Sequence, residues 1–265
     1  MVESFEVQGH AAWLKQYGDS RRVFRLGALA RVTRWLALAP LRPPPRYTRE
    51  QAKQVEIRRL QELRALGVRV PATLGEGEHS LMLSDIGPTL SSQLRKLKND
   101  PAALDALTGR ALQAIADAHR RGGYFGQPLP RNMTLSDDGI GFLDFEEDPL
   151  EVMTLAQAQA RDWLMFAYGV ARYYDGRREA LAALLRQAMR DDPPTVSRHA
   201  RQVGYRLHWL VRFSRRLGRS ARALGNAIFA IRSATSMLLV FTVLMMDWVS
   251  DGDLDLLRLL AEGVG

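Results

Sequence analysis

Four residues of this chain have types and an order suited to one kind of chemistry: Lys15, Glu56, Asn132 and Asp144. Phosphoryl transfer asks little covalent chemistry of a protein, but it needs cations around the phosphates, oxygen ligands for magnesium and a group that orients the nucleophile. Lys15 lies in an early strand pattern, where its ammonium can reach the α and β phosphates. Glu56, on the helix that follows, can hold it there by an ion pair. Asn132 and Asp144 flank a hairpin and carry hard oxygen donors suited to Mg2+. Each residue also has an ordinary reading: Lys15 as a solvated strand residue, Glu56 as a helix-face charge, Asn132 as a loop cap. Asp144 is the least ordinary, because it ends the apolar run "IGFL" and is followed by Phe145.

The elements that must position these groups can be read from periodicity and breakers. "SFEVQGHAAWLKQY", residues 4–17, predicts two short strands turning at Gly9, with Phe5, Val7, Trp13 and Tyr17 at β-favouring positions. Residues 20–49 form a basic helical insertion, with Val23, Leu26, Leu29, Ala30 and Thr33 at helical spacing, closed by prolines 43–45. A long helix begins near Thr48, with Val55, Leu60, Leu63 and Leu66 as its apolar face and Gly67 as its C-cap. Two strands follow around a Gly75–Gly77 turn. Helices are expected over 89–98, 103–121, 154–174, 177–190, 196–217 and 221–249, interrupted by a hairpin in which 133–135 and 140–143 flank "SDDG". A strand-rich part followed by a larger helical part is an α+β pattern.

The residues in these places resemble the protein-kinase-like superfamily, and within it the bacterial lipopolysaccharide kinase and RIO-like branch, with aminoglycoside phosphotransferases as more distant relatives. The carrying segments are "AWLKQYG", "EIRRLQELRALGVRVP", "SLMLSDIGPTL", "AIADAHRRGGYFGQPLPRN", "IGFLDFE" and "RDW", spanning roughly residues 5 to 170. The resemblance implies a two-lobed fold, with an N-lobe over 1–86 and a helical C-lobe over 87–265 that carries the catalytic-loop hairpin 125–146. It implies ATP and Mg2+ as cofactors, Lys15 as the phosphate-binding lysine with Glu56 as its helix partner, and Asn132 and Asp144 as metal ligands. Asp162 becomes the buried brace of the catalytic loop. No single segment is specific; their order and spacing together carry the likeness.

Departures from the family pattern are concrete. The family's loop runs His, Gly, Asp, four residues, Asn; here it runs Phe125, Gly126, Gln127, "PLPR", Asn132. Gln127 can orient a hydroxyl but cannot accept its proton, because an amide has no basic site near neutral pH. The third residue of the metal segment is Glu146 in place of glycine, a form familiar in the lipopolysaccharide kinase-like branch, and only Gly9 precedes Lys15 as phosphate cover. Gln127 and Glu146 are the catalytic candidates. Glu146, with Glu147 and Asp148, forms an acidic cluster that stands to replace the missing base or to hold a second metal. A base typically contributes roughly 10²- to 10⁴-fold, so its loss leaves two readings: an ATP-dependent phosphotransferase, or a catalytically inactive pseudokinase acting as scaffold or regulator.

Composition narrows the setting. The 265 residues include no cysteine, which removes disulfides, thiolate metal sites and thiol nucleophiles. The five histidines show no metal-ligand spacing, and His119 is expected at a helix end near the carbonyls. "GEG" at 75–77 is followed by no helix and is not a phosphate loop; a serine-hydrolase elbow is absent. The net charge of +8 is concentrated in two acid-free segments, eight arginines in 20–49 and nine in 193–246. Such runs are either solvated surface or contacts to a polyanion, and by resemblance the expected partner is the anionic inner membrane face or a membrane protein there. The aromatic interleaving of single-strand binders is missing, which argues against nucleic acid. The N-terminus carries no secretory signal, and the uncharged stretch 233–246, at 14 residues, is shorter than the ~20 needed to span a bilayer and is read as a core helix. A cytoplasmic protein, peripheral at the membrane, is the expectation, and the resemblance implies a lipid-linked saccharide or other envelope component as substrate.

Overall fold

The computed structural model describes residues 2–7, 10–18, 39–43, 45, 47–206, 225–231 and 233. Most of the basic stretch 20–49, the expected turn residue Gly9 and most of the run 207–249, including the uncharged stretch after 233, lie outside the described residues.

The chain is α+β. Strands β1 (Val2–Val7), β2 (His10–Gln16), β3 (Thr73–Gly77) and β4 (Ser80–Ser84) form an antiparallel sheet in the order β1-β2-β4-β3. Cross-strand partners share a face, so the pairing of Lys15 with Leu81 places Lys15 on the face that buries Leu81 and Leu83. Gly75 and Gly77 sit inside β3, and the turn is made by Glu78 and His79, two residues later than expected. The glycines satisfy a different need there: the register shifts between Thr73 and Gly75, an irregularity glycine tolerates.

Helix α1 (Arg49–Ala65) starts with a capping box, in which Thr48 and Gln51 exchange side-chain and backbone hydrogen bonds, and stops at Gly67, whose φ of 68° suits a residue without Cβ. Val55, Leu60 and Leu63 are buried as expected, while Leu66 is only half-buried. Short α2 (Leu90–Lys96) leads to α3 (Pro101–Arg120), where Asp100 caps and Pro101 fills the first turn. The hairpin β5 (Met133–Ser136) and β6 (Gly139–Phe142) turns at Asp137 and Asp138. Helices α4 (Leu155–Ala171), α5 (Arg178–Ala188) and α6 (Pro194–Arg206) complete the described helical part with a short turn of helix at 225–231.

One hydrophobic core runs from Leu81 and Leu83 of the sheet through Leu60 and Leu63 of α1 to Leu112, Trp163, Phe166 and Leu185. Helix α4 is its axis, buried at almost every position from Ala158 to Ala171. That burial lets α4 carry polar side chains into the interior, and it also makes one glycine indispensable. A Cβ on Gly169 would lie 2.3 Å from Cδ of Pro130, in the segment just before β5. Alanine gains roughly 1 kcal/mol over glycine in a helix, but overpacking typically costs about 1–3 kcal/mol. Gly169→Ala is expected to lower the urea midpoint, not raise it; a raised midpoint would refute the tight approach of α4 to Pro130.

Candidate active site

Lys15 meets its expected partner. Its Nζ lies 2.8 Å from Oε2 of Glu56 and 2.6 Å from Oδ1 of Asp144, with Oε2 of Glu146 at 3.6 Å. Burial pulls the lysine's pKa down, but Asp144, Glu56 and Glu146 outweigh it and hold the ammonium charged well above the ordinary lysine value. Glu56 is 1% exposed and uses both oxygens. Oε2 also accepts from the Tyr17 hydroxyl at 2.5 Å, and Oε1 accepts from the Phe145 backbone N–H at 3.4 Å. Burial, followed by the Glu56 charge, raises Tyr17 far enough that it stays a hydroxyl and a donor.

Asp144 is shaped by its backbone. Among the described residues it is the one non-glycine with positive φ, at 68°. A left-handed residue with a side chain costs on the order of 1–3 kcal/mol and persists where the surroundings demand it. Here the turn brings the end of β6 back toward Lys15 while sending Phe145 into the core, 2% exposed. Glu146 is pushed above the ordinary glutamate value by burial and by the charges of Asp144, Glu56 and Glu147, against the pull of Lys15. Three carboxylates around one ammonium leave this cluster negative.

Gln127 and Asn132 are tied to each other and to the segment that leads into Asp144. The Asn132 amide Nδ2 donates to the Gln127 carbonyl at 3.1 Å, and the Asn132 carbonyl accepts from Leu143 N–H at 2.8 Å, one residue before Asp144. Asn132 thus serves as a loop tie through its amide nitrogen, which leaves its side-chain oxygen as the donor atom for a cation. Gln127 does not point at Glu146: its Nε2 donates to Oε2 of Glu147 at 2.9 Å.

Asp162 braces the loop as expected of it. Fully buried, it accepts from Phe125 N–H at 2.8 Å and Gly126 N–H at 2.6 Å. Two neighbours on α4 that the sequence reading did not single out share the task. Arg161, also buried, donates to the Gly126 carbonyl and the Arg42 carbonyl at 2.8 Å each, and Gln159 donates to the carbonyls of His119 and Gly123. Gly126, at φ +88°, has no room for a Cβ because Pro149 would be 2.7 Å away. Phe125 stacks on Phe142 of β6, with ring centroids 3.9 Å apart.

His119 lies in the last turn of α3, the helix end expected for it, and is buried there, with Nε2 3.1 Å from Asp162 Oδ2 and its ring edge-on to Trp163. Asp192 lies 3.8 Å from Nδ1, beyond hydrogen-bond reach but close enough to favour the cation. The sequence cue was the pair "AH" and "RD" at compatible helix positions, which periodicity alone cannot bring together.

Asp148 is a third buried carboxylate, after Glu56 and Asp162. It accepts from Arg58 at 2.8 Å, the Tyr124 hydroxyl at 2.8 Å and Leu150 N–H at 2.9 Å. Burial pushes its pKa up, and these donors reverse it and hold the group below the ordinary aspartate value. Arg59 stacks 3.7 Å over the Tyr124 ring and donates to its carbonyl at 2.6 Å. Helix α1 is thereby fastened, on the turn after Glu56, to Tyr124 and Asp148 on either side of the hairpin.

No protein-family model matches the chain, and no curated protein matches it. Among the described residues, no group of three or more His, Asp or Glu is arranged to hold a metal alone. Magnesium carried by a nucleotide asks less, because one or two protein oxygens suffice when phosphates supply other ligands. Asp144, with its side chain 43% exposed, and the Asn132 side-chain oxygen have the donor chemistry that role needs.

The buried histidine gives a pH test. Burial lowers the His119 pKa, but Asp162 and Asp192 more than compensate and raise it above the ordinary 6.5. The charged pair therefore contributes its full stability below that ordinary value, and the contribution is lost as pH rises through the raised one. The stability difference between wild type and His119→Gln, measured by chemical denaturation, is expected to be largest in mild acid and to shrink on the alkaline side. A difference that grew with pH would show that His119 is neutral in the fold.

Proposed function

We propose that this chain is an ATP-dependent phosphotransferase of the protein-kinase-like superfamily, akin to the lipopolysaccharide kinase and RIO-like branch. The observation that carries the reading is the threefold junction at Lys15: an ammonium from β2 held by a buried carboxylate of α1 and facing an aspartate that a left-handed turn sets at the end of β6. In this reading the N-lobe spans 1–86, the C-lobe 87–265, and ATP lies between them. Lys15 leaves Asp144 to meet the α and β phosphates while Glu56 keeps it in place. Asp144 and the Asn132 oxygen hold Mg2+, which, when bound, neutralises charge developing on the phosphate oxygens. Asp162, Arg161 and Gln159 fix the loop so that Gln127 faces the acceptor at a constant distance, the positioning that supplies much of such catalysis.

The acid-free arginine segments suit docking on an anionic membrane surface, where a lipid-linked saccharide or other envelope component would be the acceptor. Among the described residues no helix is long and apolar enough to cross a membrane. A second reading, a pseudokinase scaffold, is favoured by one residue, Gln127 in the place of a base.

Two measurements test the proposal. At about 100 times its Kd, Mg-ATP is expected to stabilise the protein by about 2.7 kcal/mol, seen as a rise of several degrees in melting temperature. Asp144→Asn, which tolerates the left-handed backbone but removes the charge, is expected to abolish the magnesium-dependent part. No shift in the wild type would sink nucleotide binding. Vesicles containing anionic lipid are expected to float the protein at low salt and release it at high salt, because screening weakens exposed charge contacts; failure to float at any salt would remove the membrane from the reading.

A further inference from the structure

The acidic run that follows Asp144 contains three carboxylates, and the fold gives each a different task. Glu146 faces Lys15 at 3.6 Å, on the phosphate side of the site. Asp148 is 3% exposed and already accepts from Arg58, Tyr124 and Leu150. Glu147 alone is set against the catalytic-loop position, where Gln127 Nε2 donates to its Oε2 at 2.9 Å. It is half-buried and keeps access to solvent.

The geometry points to Glu147 as the proton acceptor of this site, with Gln127 as the residue that positions it. This rests on the proposed phosphotransferase reading. The missing base has not vanished; it has moved from the loop to the segment opposite. The pairing also accounts for the amide at 127. An aspartate there, one methylene shorter, would give up this hydrogen bond and set a second negative charge near Glu147, and neighbouring like charges disfavour each other's ionised form. Glutamine presents an N–H to the carboxylate and cannot itself take the proton. The Gln127 backbone carbonyl accepts from Asn132 Nδ2 at 3.1 Å and its neighbour Gly126 is held by Asp162 and Arg161, so the side-chain amide has a fixed origin from which to aim Glu147.

In the step so assigned, the acceptor hydroxyl oxygen bonds to the γ phosphorus as the bond from that phosphorus to the β–γ bridging oxygen breaks. The bridging electron pair leaves with the nucleoside diphosphate. The hydroxyl proton passes to Glu147 and from there to solvent. No oxidant or further reactant is required.

The test separates binding from turnover in the full-length protein. Mg-ATP binding is read by thermal shift, and ATP hydrolysis, with water as acceptor, by phosphate release. Glu147→Gln is expected to bind Mg-ATP with wild-type affinity and to lose roughly 10²- to 10⁴-fold in kcat, the usual contribution of a base. Glu147→Asp is expected to retain part of the rate. Gln127→Asp alone is expected to give no gain, whereas the reciprocal exchange Gln127→Asp with Glu147→Gln, which returns the carboxylate to the loop, recovers much of the loss. A Glu147 that served only the charge balance of the nearby buried Arg161 would shift the melting temperature of Glu147→Gln and leave kcat untouched. That result, or a wild type that binds Mg-ATP and hydrolyses none, overturns the assignment. Absence of Mg-ATP binding overturns the phosphotransferase reading itself.

Discussion

The arrangement depends on one buried carboxylate. Glu56 is almost inaccessible to water, and a lone ionised carboxylate there would carry a desolvation penalty of several kcal/mol. Three donors from two segments remove it: Lys15 of β2 and Tyr17 just beyond that strand, and the Phe145 N–H after β6. Meeting that single electrostatic demand fixes the sheet, α1 and the hairpin relative to one another. It also places Asp144, adjacent to Phe145, against Lys15. The left-handed backbone of Asp144 is the local cost of this closure, and the Phe145 side chain buried beside it is the compensation.

A second polar interior supports the first. Helix α4 is surrounded by core and yet sends Gln159, Arg161 and Asp162 to the segment 119–127. Buried polar groups are tolerated only when hydrogen-bonded, and each of these finds backbone groups of a loop that has no regular structure to pair with. The loop's backbone and the helix's side chains satisfy one another. That reciprocity holds residues 125–127 rigid without a strand, and the Arg58–Asp148 and Arg59–Tyr124 contacts fasten α1 to the same segment.

Much of this was legible from local pattern. The boundaries of α1, α3, α4 and the hairpin follow from caps, periodicity and turn residues, which act over a few positions and leave marks in the order of amino acids. Lys15, Glu56, Asn132 and Asp144 stood out by residue type and order, and Asp162 only through the resemblance to a known family. The β3–β4 turn was misplaced because Gly75 and Gly77 mark an irregularity as readily as a turn. The helix-end place of His119 was legible, but its burial was not, because that depends on Asp162, 43 residues away, being brought beside it. The roles within "EEDP" were not separable at all: three neighbouring acids look alike in sequence, and only the partners at 15, 127 and 58 tell them apart.

By itself the sequence determined the α+β class, the succession of elements, the absence of cysteine chemistry and the presence of an amide where a base was expected. These are properties of residue type and short-range spacing. Only the tertiary structure decided that Glu56 and Asp144 close on the same ammonium, that Asp162 holds a loop through backbone donors, and that Gln127 is matched by Glu147. Each of those is set by burial and by contact between positions far apart in the chain, where removal from water makes a charge demand a partner and the fold determines which partner is in reach.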